Sequence, residues 1–135
     1  MVVPKFGSIV LPPRFDPSPH ASGFLNFSRF TFALTDGLWR LTAIPGEGQR
    51  VSGARDLVAF ARRSLTSLFG EIPEPRVNLS SASAIELEFP KAPLLSLWRA
   101  VDRVPMGLVL MWPEEVSPTV ARGLARDVFA SWRRA

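Results

Sequence analysis

Histidine and cysteine, two side chains that often carry out catalysis, are scarce in this chain. It has no cysteine and one histidine, His20, which lies in a proline-rich segment with no serine or carboxylate spaced to form a triad with it. The absence of cysteine excludes a disulfide framework and thiolate metal sites. We therefore predict no catalytic residue, no metal ligand and no cofactor bound by the protein itself.

One pair of carboxylates has the spacing of a shared site. Glu86 and Glu88 alternate with apolar residues, so in a strand both side chains point to the same face. A carboxylate pair can hold a divalent cation in nucleases, but such a site needs a further carboxylate or a lysine that converges on it. Since the sequence places no such group there, we interpret the pair as two glutamates on a solvated strand face.

Arginine is the residue type whose number and spacing are most informative. The chain has 16 basic and 12 acidic residues, and 14 of the basic ones are arginines. Arg122, Arg126 and Arg133 fall within about 40° of one another on a helix, with Phe129 beside them. Guanidinium groups bind phosphates through paired hydrogen bonds, and an aromatic ring can stack on a base. We therefore predict an RNA-binding surface formed by Arg122, Arg126, Phe129, Arg133 and Arg134.

Two alternatives account for the same arginines without RNA. A GC-rich coding sequence raises arginine at the expense of lysine, and an arginine-rich helix face can simply be solvated. A net charge of +4 does not by itself establish nucleic-acid binding. The alternative function is a non-enzymatic protein–protein interaction or assembly module, with the apolar N-terminal arm and the final helix as its contact surface.

Length and composition predict one domain preceded by an arm. Residues 1–22 contain five prolines, which remove backbone donors, so we predict an extended arm there and a single α+β domain over residues 23–135. The domain is long and apolar enough for one core. No apolar stretch approaches the ~20 residues that span a bilayer. The N-terminus lacks the features of a signal peptide, so we expect a cytoplasmic protein with no membrane partner.

The hydrophobic pattern predicts the elements that position these residues. Alternation predicts strands over 24–34, 39–43 and 84–89, and a short strand is expected over 76–79. A nearly continuous apolar run over 106–112 predicts a central strand covered on both faces. Helical spacing predicts helices over 52–69, 94–101 and from Ser117 to about Trp132. Asp36-Gly37 favours a hairpin between the first two strands. Without that hairpin the order is βαββαβ. We therefore predict a ferredoxin-like α+β fold with an antiparallel sheet, an inserted N-terminal hairpin and an extra C-terminal helix.

The same pattern predicts which side chains form the core. We expect five sheet residues to face the helices over 57–68 and 94–101: Phe30, Phe32, Ile85, Leu87 and Leu108. In the final helix we expect Val120, Leu124 and Val128 to pack on the sheet, which leaves the arginines on another side.

Four segments occur in the order of motifs seen in a known family. They are Leu11-Pro12-Pro13-Arg14, Arg29-Phe30-Thr31-Phe32, Ser67-Leu68-Phe69-Gly70-Glu71 and Val116-Ser117-Pro118-Thr119-Val120. Together they resemble the small ribonuclease P protein shared by archaea and eukaryotes, called protein component 2 in archaea. The chain is similar to a divergent member, because Pro118 replaces a family glycine and the hairpin around Asp36-Gly37 is inserted.

The resemblance implies a non-catalytic subunit of a ribonucleoprotein that processes tRNA. In that family the protein pairs with a larger ribonuclease P protein and contacts the catalytic RNA. That RNA, with Mg²⁺ bound to it, removes the 5′ leader of precursor tRNA. The implied partners are therefore the catalytic RNA, precursor tRNA and a larger protein subunit. We expect the chain to self-associate as a homodimer or to join a protein partner in a hetero-oligomer.

Overall fold

The computed structural model describes residues 2–3, 7–8, 25–27, 32–36, 39–46, 48–81, 83–89 and 92–133, which form nine strands and two helices. The strands are β1 (Val2–Val3), β2 (Gly7–Ser8), β3 (Leu25–Phe27), β4 (Phe32–Asp36), β5 (Trp39–Ile44), β6 (Arg76–Ser81), β7 (Ala84–Glu88), β8 (Leu94–Val101) and β9 (Val104–Met111). The helices are α1 (Ala54–Phe69) and α2 (Pro118–Ser131). Neither helix is long and apolar enough to cross a membrane.

Seven strands form one antiparallel sheet, in the order β3-β4-β5-β9-β8-β7-β6. Strands β6 to β9 follow one another as a meander. The connection through α1 carries the chain from β5 to the edge of the sheet at β6, so that β9 returns to pair with β5. The prediction of an α+β protein with an antiparallel sheet is confirmed.

The two helices cover opposite faces of this sheet. On one face, α1 packs against Ile85, Leu87 and Trp98 through a core that includes Leu57 and Leu65. The opposite core contains α2 together with strand residues such as Leu41, Leu97 and Leu108. Because adjacent strand residues point to opposite faces, Leu97 and Trp98 belong to different cores. The layers are therefore helix, sheet, helix.

The helix predicted over 94–101 is wrong, because this segment is strand β8. Its residues from Leu95 to Trp98 are all buried, since each face of the strand lies under a helix. A strand covered on both faces is apolar at nearly every position, and such a run also satisfies helical spacing. The βαββαβ order does not occur in this part of the chain, which reads strand, helix, four strands, helix from β5 onward.

The core predictions for the sheet are partly confirmed. Ile85 and Leu87 face α1 as expected, but Leu108 lies on the other face, under α2. Phe30 and the side chain of Phe32 lie outside the described parts of the chain. The single strand predicted over 24–34 is two strands, β3 and β4, which pair with each other.

The described parts of the N-terminal arm pair with each other and with the other end of the chain. Strands β1 and β2 form a two-stranded antiparallel ladder. Ser8 of β2 then exchanges two backbone hydrogen bonds of 2.7 Å with Arg133. The remainder of the arm predicted over residues 1–22 lies outside the described residues.

Candidate nucleic-acid interface

Helix α2 begins where the sequence predicts, but it turns a different side to the sheet. Ser117 is its N-cap and Pro118 lies in the first turn. The buried residues are Ala121, Ala125, Val128 and Phe129, whereas Val120 is 62% exposed. The expected packing of Val120 is therefore wrong, whereas Val128 is buried as expected and Leu124 packs, partly buried, against the same core. Each residue turns a helix by about 100°, so the buried side is centred near Ala121 and Ala125, and the predicted arginines border it.

Arg126 forms a bidentate ion pair with Glu86, a carboxylate of the sheet. Its Nε donates to Glu86 Oε1 at 2.9 Å, and its Nη2 donates to Glu86 Oε2 at 3.0 Å. The hydrogen bond to Glu86 is the main cause that raises the pKa of Arg126, and the charge of Glu88 adds to it. Glu86 is therefore not a solvated glutamate, as we interpreted it, because its side chain is 16% exposed and bound to a guanidinium.

Phe129 lies in the core and not at the surface. It is 9% exposed, and its ring contacts Trp132 edge-on at a centroid distance of 6.3 Å. The guanidinium carbon of Arg99, from β8, lies 4.4 Å from the centroid of the Phe129 ring. The ring of Phe129 therefore packs against Arg99 and Trp132 and exposes too little surface to stack on a base.

Arg99 is a residue of this site that the sequence did not indicate. Its Nη1 donates to the Phe129 carbonyl oxygen at 2.8 Å and its Nη2 to the Trp132 carbonyl oxygen at 2.6 Å, so it stabilises the C-terminal end of α2. Burial is the main cause that lowers the pKa of Arg99, and the positive charge of Arg133 also lowers it. The sequence signal that could have indicated Arg99 is its position directly after the apolar residues Leu97 and Trp98.

Arg133 and Arg122 complete this group. Arg133 is exposed, and its Nη1 donates to the Ala130 carbonyl oxygen at 2.7 Å. Arg122 lies one turn before Arg126, and its buried Nε has no hydrogen-bond partner within the described residues. Arg134 lies outside the described residues. The structure thus brings Arg122 and Arg126 to one side of α2. Arg133, which the sequence places on the same helix stripe, instead follows the end of the helix at Ser131, where its charge acts on Arg99. We call these four residues the arginine flank.

An open cleft of about 210 Å³ separates this side of α2 from strands β7 and β8. Its walls include the apolar side chains of Leu97 and Phe129 and the charged side chains of Glu86, Arg99 and Arg126. Apolar walls beside guanidinium groups suit an anionic ligand with apolar parts. Within the described residues, no three acidic or histidine side chains are grouped so that they could hold a metal ion.

The fold and this site define an α+β protein with a helix on each face of an antiparallel sheet and arginines along one helix. Comparison of the chain with known family models, with curated proteins and with solved structures finds no match. The function is therefore inferred from the chain's own residues and geometry.

Proposed function

We propose that this chain is a non-catalytic, RNA-associated protein that binds RNA phosphates through the arginine flank. The observation that carries the proposal is the number of guanidinium groups on one side of α2 and at its C-terminal end. Of the four, only Arg126 has a carboxylate partner among the described residues. Within the described ranges Arg99, Arg122 and Arg133 bring positive charge without an acidic ion-pair partner, which favours a polyanion as ligand.

The chemistry of these groups favours phosphate recognition over base recognition. A guanidinium stays charged and donates paired hydrogen bonds to phosphate oxygens. The predicted stacking residue, Phe129, is buried, so the flank offers charge and no free aromatic face. We therefore propose binding that depends on the shape and charge of the RNA more than on its sequence, and that weakens as salt is added.

The particular particle that we propose is ribonuclease P, in which the chain supports tRNA 5′-leader removal by the catalytic RNA. This part of the proposal is supported by the four sequence segments that resemble the family. Strand β8 stands where the predicted βαββαβ order has a helix, so the fold adds no support to it. The proposed partners are the catalytic RNA, precursor tRNA and a larger protein subunit. Mg²⁺ would be held by the RNA, and the setting would be the cytoplasm.

The test compares two charge-matched double variants for binding to a precursor-tRNA transcript. Arg122→Ala with Arg133→Ala removes two charges of the flank that have no carboxylate partner in the part of the chain that the structure describes. Arg55→Ala with Arg63→Ala removes two exposed charges from α1, on the opposite face of the sheet. We expect the flank variant to lower the slope of log affinity against log salt by roughly two, at about 0.9 per lost phosphate contact. The α1 variant keeps the wild-type slope. Equal slopes in both variants would reject the flank as the RNA surface.

A protein–protein interaction module is the second candidate, and exposed apolar side chains favour it. Val120 on α2 is 62% exposed and Val77 on the edge strand β6 is 37% exposed. An interface built on such residues depends on apolar burial, so salt does not weaken it. In that case sedimentation shows self-association of the isolated chain, and RNA affinity is absent at every salt concentration.

A further inference from the structure

We propose that Glu86 competes internally with RNA phosphate for Arg126 and thereby sets the affinity and salt dependence of the arginine flank. This inference rests on the proposed function, since it concerns the same surface. It identifies a residue that limits RNA binding, whereas the residues discussed above promote it.

The ion pair between Arg126 and Glu86 has the same geometry as an arginine that binds a phosphate through two hydrogen bonds. Two N–H groups of Arg126 meet the two oxygens of Glu86 at 2.9 and 3.0 Å. A phosphate would use the same fork of donors, because both anions present two oxygens to a planar guanidinium. Arg126 cannot form this paired contact with Glu86 and with a phosphate through the same two donors. RNA must therefore displace the carboxylate before it gains this contact.

The exposure of the two partners shows which of them can change partner. The Arg126 side chain is 52% exposed, whereas the Glu86 side chain is 16% exposed. Glu86 is fixed on β7 between Asn78 of β6 and Leu97 of β8. Arg126 stands on the helix surface on a long flexible side chain. The arginine can thus turn toward a ligand, while the glutamate stays in place.

The surroundings strengthen the competition. Glu88 lies two residues further on the same strand face, and its charge also acts on Arg126. Two carboxylates beside a phosphate-binding group repel the RNA backbone as well as occupy the arginine. The competition therefore combines a direct exchange of hydrogen bonds at Glu86 with a longer-range repulsion from both glutamates.

A second ion pair of this protein provides the control. Arg62 of α1 donates from Nη1 and Nη2 to the two carboxylate oxygens of Glu74. This pair lies on the α1 side of the molecule, and both partners are accessible. Glu74→Gln changes the net charge by the same amount as Glu86→Gln and releases an arginine from a similar pair, but it does so away from the arginine flank.

The experiment measures binding of a precursor-tRNA transcript across salt concentrations for wild type, Glu86→Gln, Glu74→Gln and Glu86→Gln with Arg126→Ala. We expect Glu86→Gln to raise the affinity about two- to fivefold, the range of a broken exposed ion pair. The salt slope should steepen by about one phosphate contact. Glu74→Gln should change both the affinity and the salt slope by less than Glu86→Gln does. The gain should disappear when Arg126 is also replaced.

Each outcome separates this inference from the proposed function. Wild-type binding that Glu86→Gln leaves unchanged, or that Glu74→Gln raises equally, overturns the competition and leaves RNA binding in place. A gain that persists in the Arg126→Ala background also overturns it. Binding seen only in Glu86→Gln supports the competition and contradicts RNA binding by the wild-type protein. No binding by any variant rejects both.

Discussion

Gly107 in β9 is the position where one added methyl group tests the packing beneath α1 most severely. It lies between Ile44 of β5 and Trp98 of β8. A Cβ at this position would collide with three carbon atoms of the Trp98 indole. Trp98 is fully buried and packs edge-on against Phe60 of α1, at a centroid distance of 5.7 Å. The indole therefore cannot move aside without moving the helix.

The magnitude follows from two opposing effects of Gly107→Ala. Overpacking of a well-filled core costs about 1–3 kcal/mol, and a rigid ring system places this site in the upper part of that range. Replacing glycine within a strand returns about 0.5–1 kcal/mol, since the unfolded chain loses freedom. We expect a net loss of about 1–2 kcal/mol in the free energy of unfolding. For a domain of this size, each kcal/mol lowers Tm by roughly 3–5 °C.

Urea denaturation of Gly107→Ala, Trp98→Leu and the double variant measures this directly. Trp98→Leu alone leaves a cavity, which the added methyl group partly fills in the double variant. The two losses should therefore be non-additive, with the double variant more stable than their sum by at least about 0.5 kcal/mol. Wild-type stability of Gly107→Ala, or strict additivity, would refute this packing and with it the assignment of 94–101 as a strand that faces Gly107.

Three further predictions concern a turn, a helix end and pH. Asp102 and Arg103, in the β8–β9 turn, have φ values of 51° and 66°, so Asp102→Asn with Arg103→Gly should raise the free energy of unfolding by about 1 kcal/mol in urea denaturation. Arg99→Met removes two charged hydrogen bonds to the end of α2 and should lower it by about 2 kcal/mol in the same assay. The hydrogen bond from the Ser52 hydroxyl is the main cause that lowers the pKa of Asp56. Its stabilisation is therefore complete above the ordinary carboxyl pKa and lost as pH falls through the lowered value. Thermal denaturation across pH should show that Asp56→Asn loses less stability than wild type below about pH 4.

Most of the elements that the sequence predicts well have one polar and one apolar side. The exception is the strand predicted over 106–112, which is β9 (Val104–Met111) although both its faces are covered. The helix predicted over 52–69 is α1 (Ala54–Phe69), and the strand predicted over 84–89 is β7 (Ala84–Glu88). In both, apolar residues recur at a single period because only one side is buried. Strand β8 has no such contrast, since its two faces lie under α1 and α2, and its pattern satisfies a helix equally well.

The candidate site was predictable in its arginines but not in their contacts. Helical spacing places Arg122 and Arg126 together whatever the helix packs on. The partner of Arg126 depends on β7 meeting α2, and no local pattern indicates Glu86 as that partner. The burial of Phe129 could not be predicted either, because Ala121 and Ala125 form the side of α2 nearest the sheet. Val120 and Leu124 are larger and more apolar than these alanines, so hydrophobicity alone centres the buried side of the helix on them.

The central claim is that the arginine flank binds RNA through phosphates, and the salt dependence of wild-type binding tests it most directly. The measurement is the Kd of the intact chain for a precursor-tRNA transcript between 50 and 200 mM monovalent salt. Three phosphate contacts, from Arg99, Arg122 and Arg133 while Arg126 stays paired with Glu86, predict a slope of log affinity against log salt of roughly −2.7, which weakens binding about 40-fold over that range. A slope near zero, or no binding at micromolar protein, would contradict the claim.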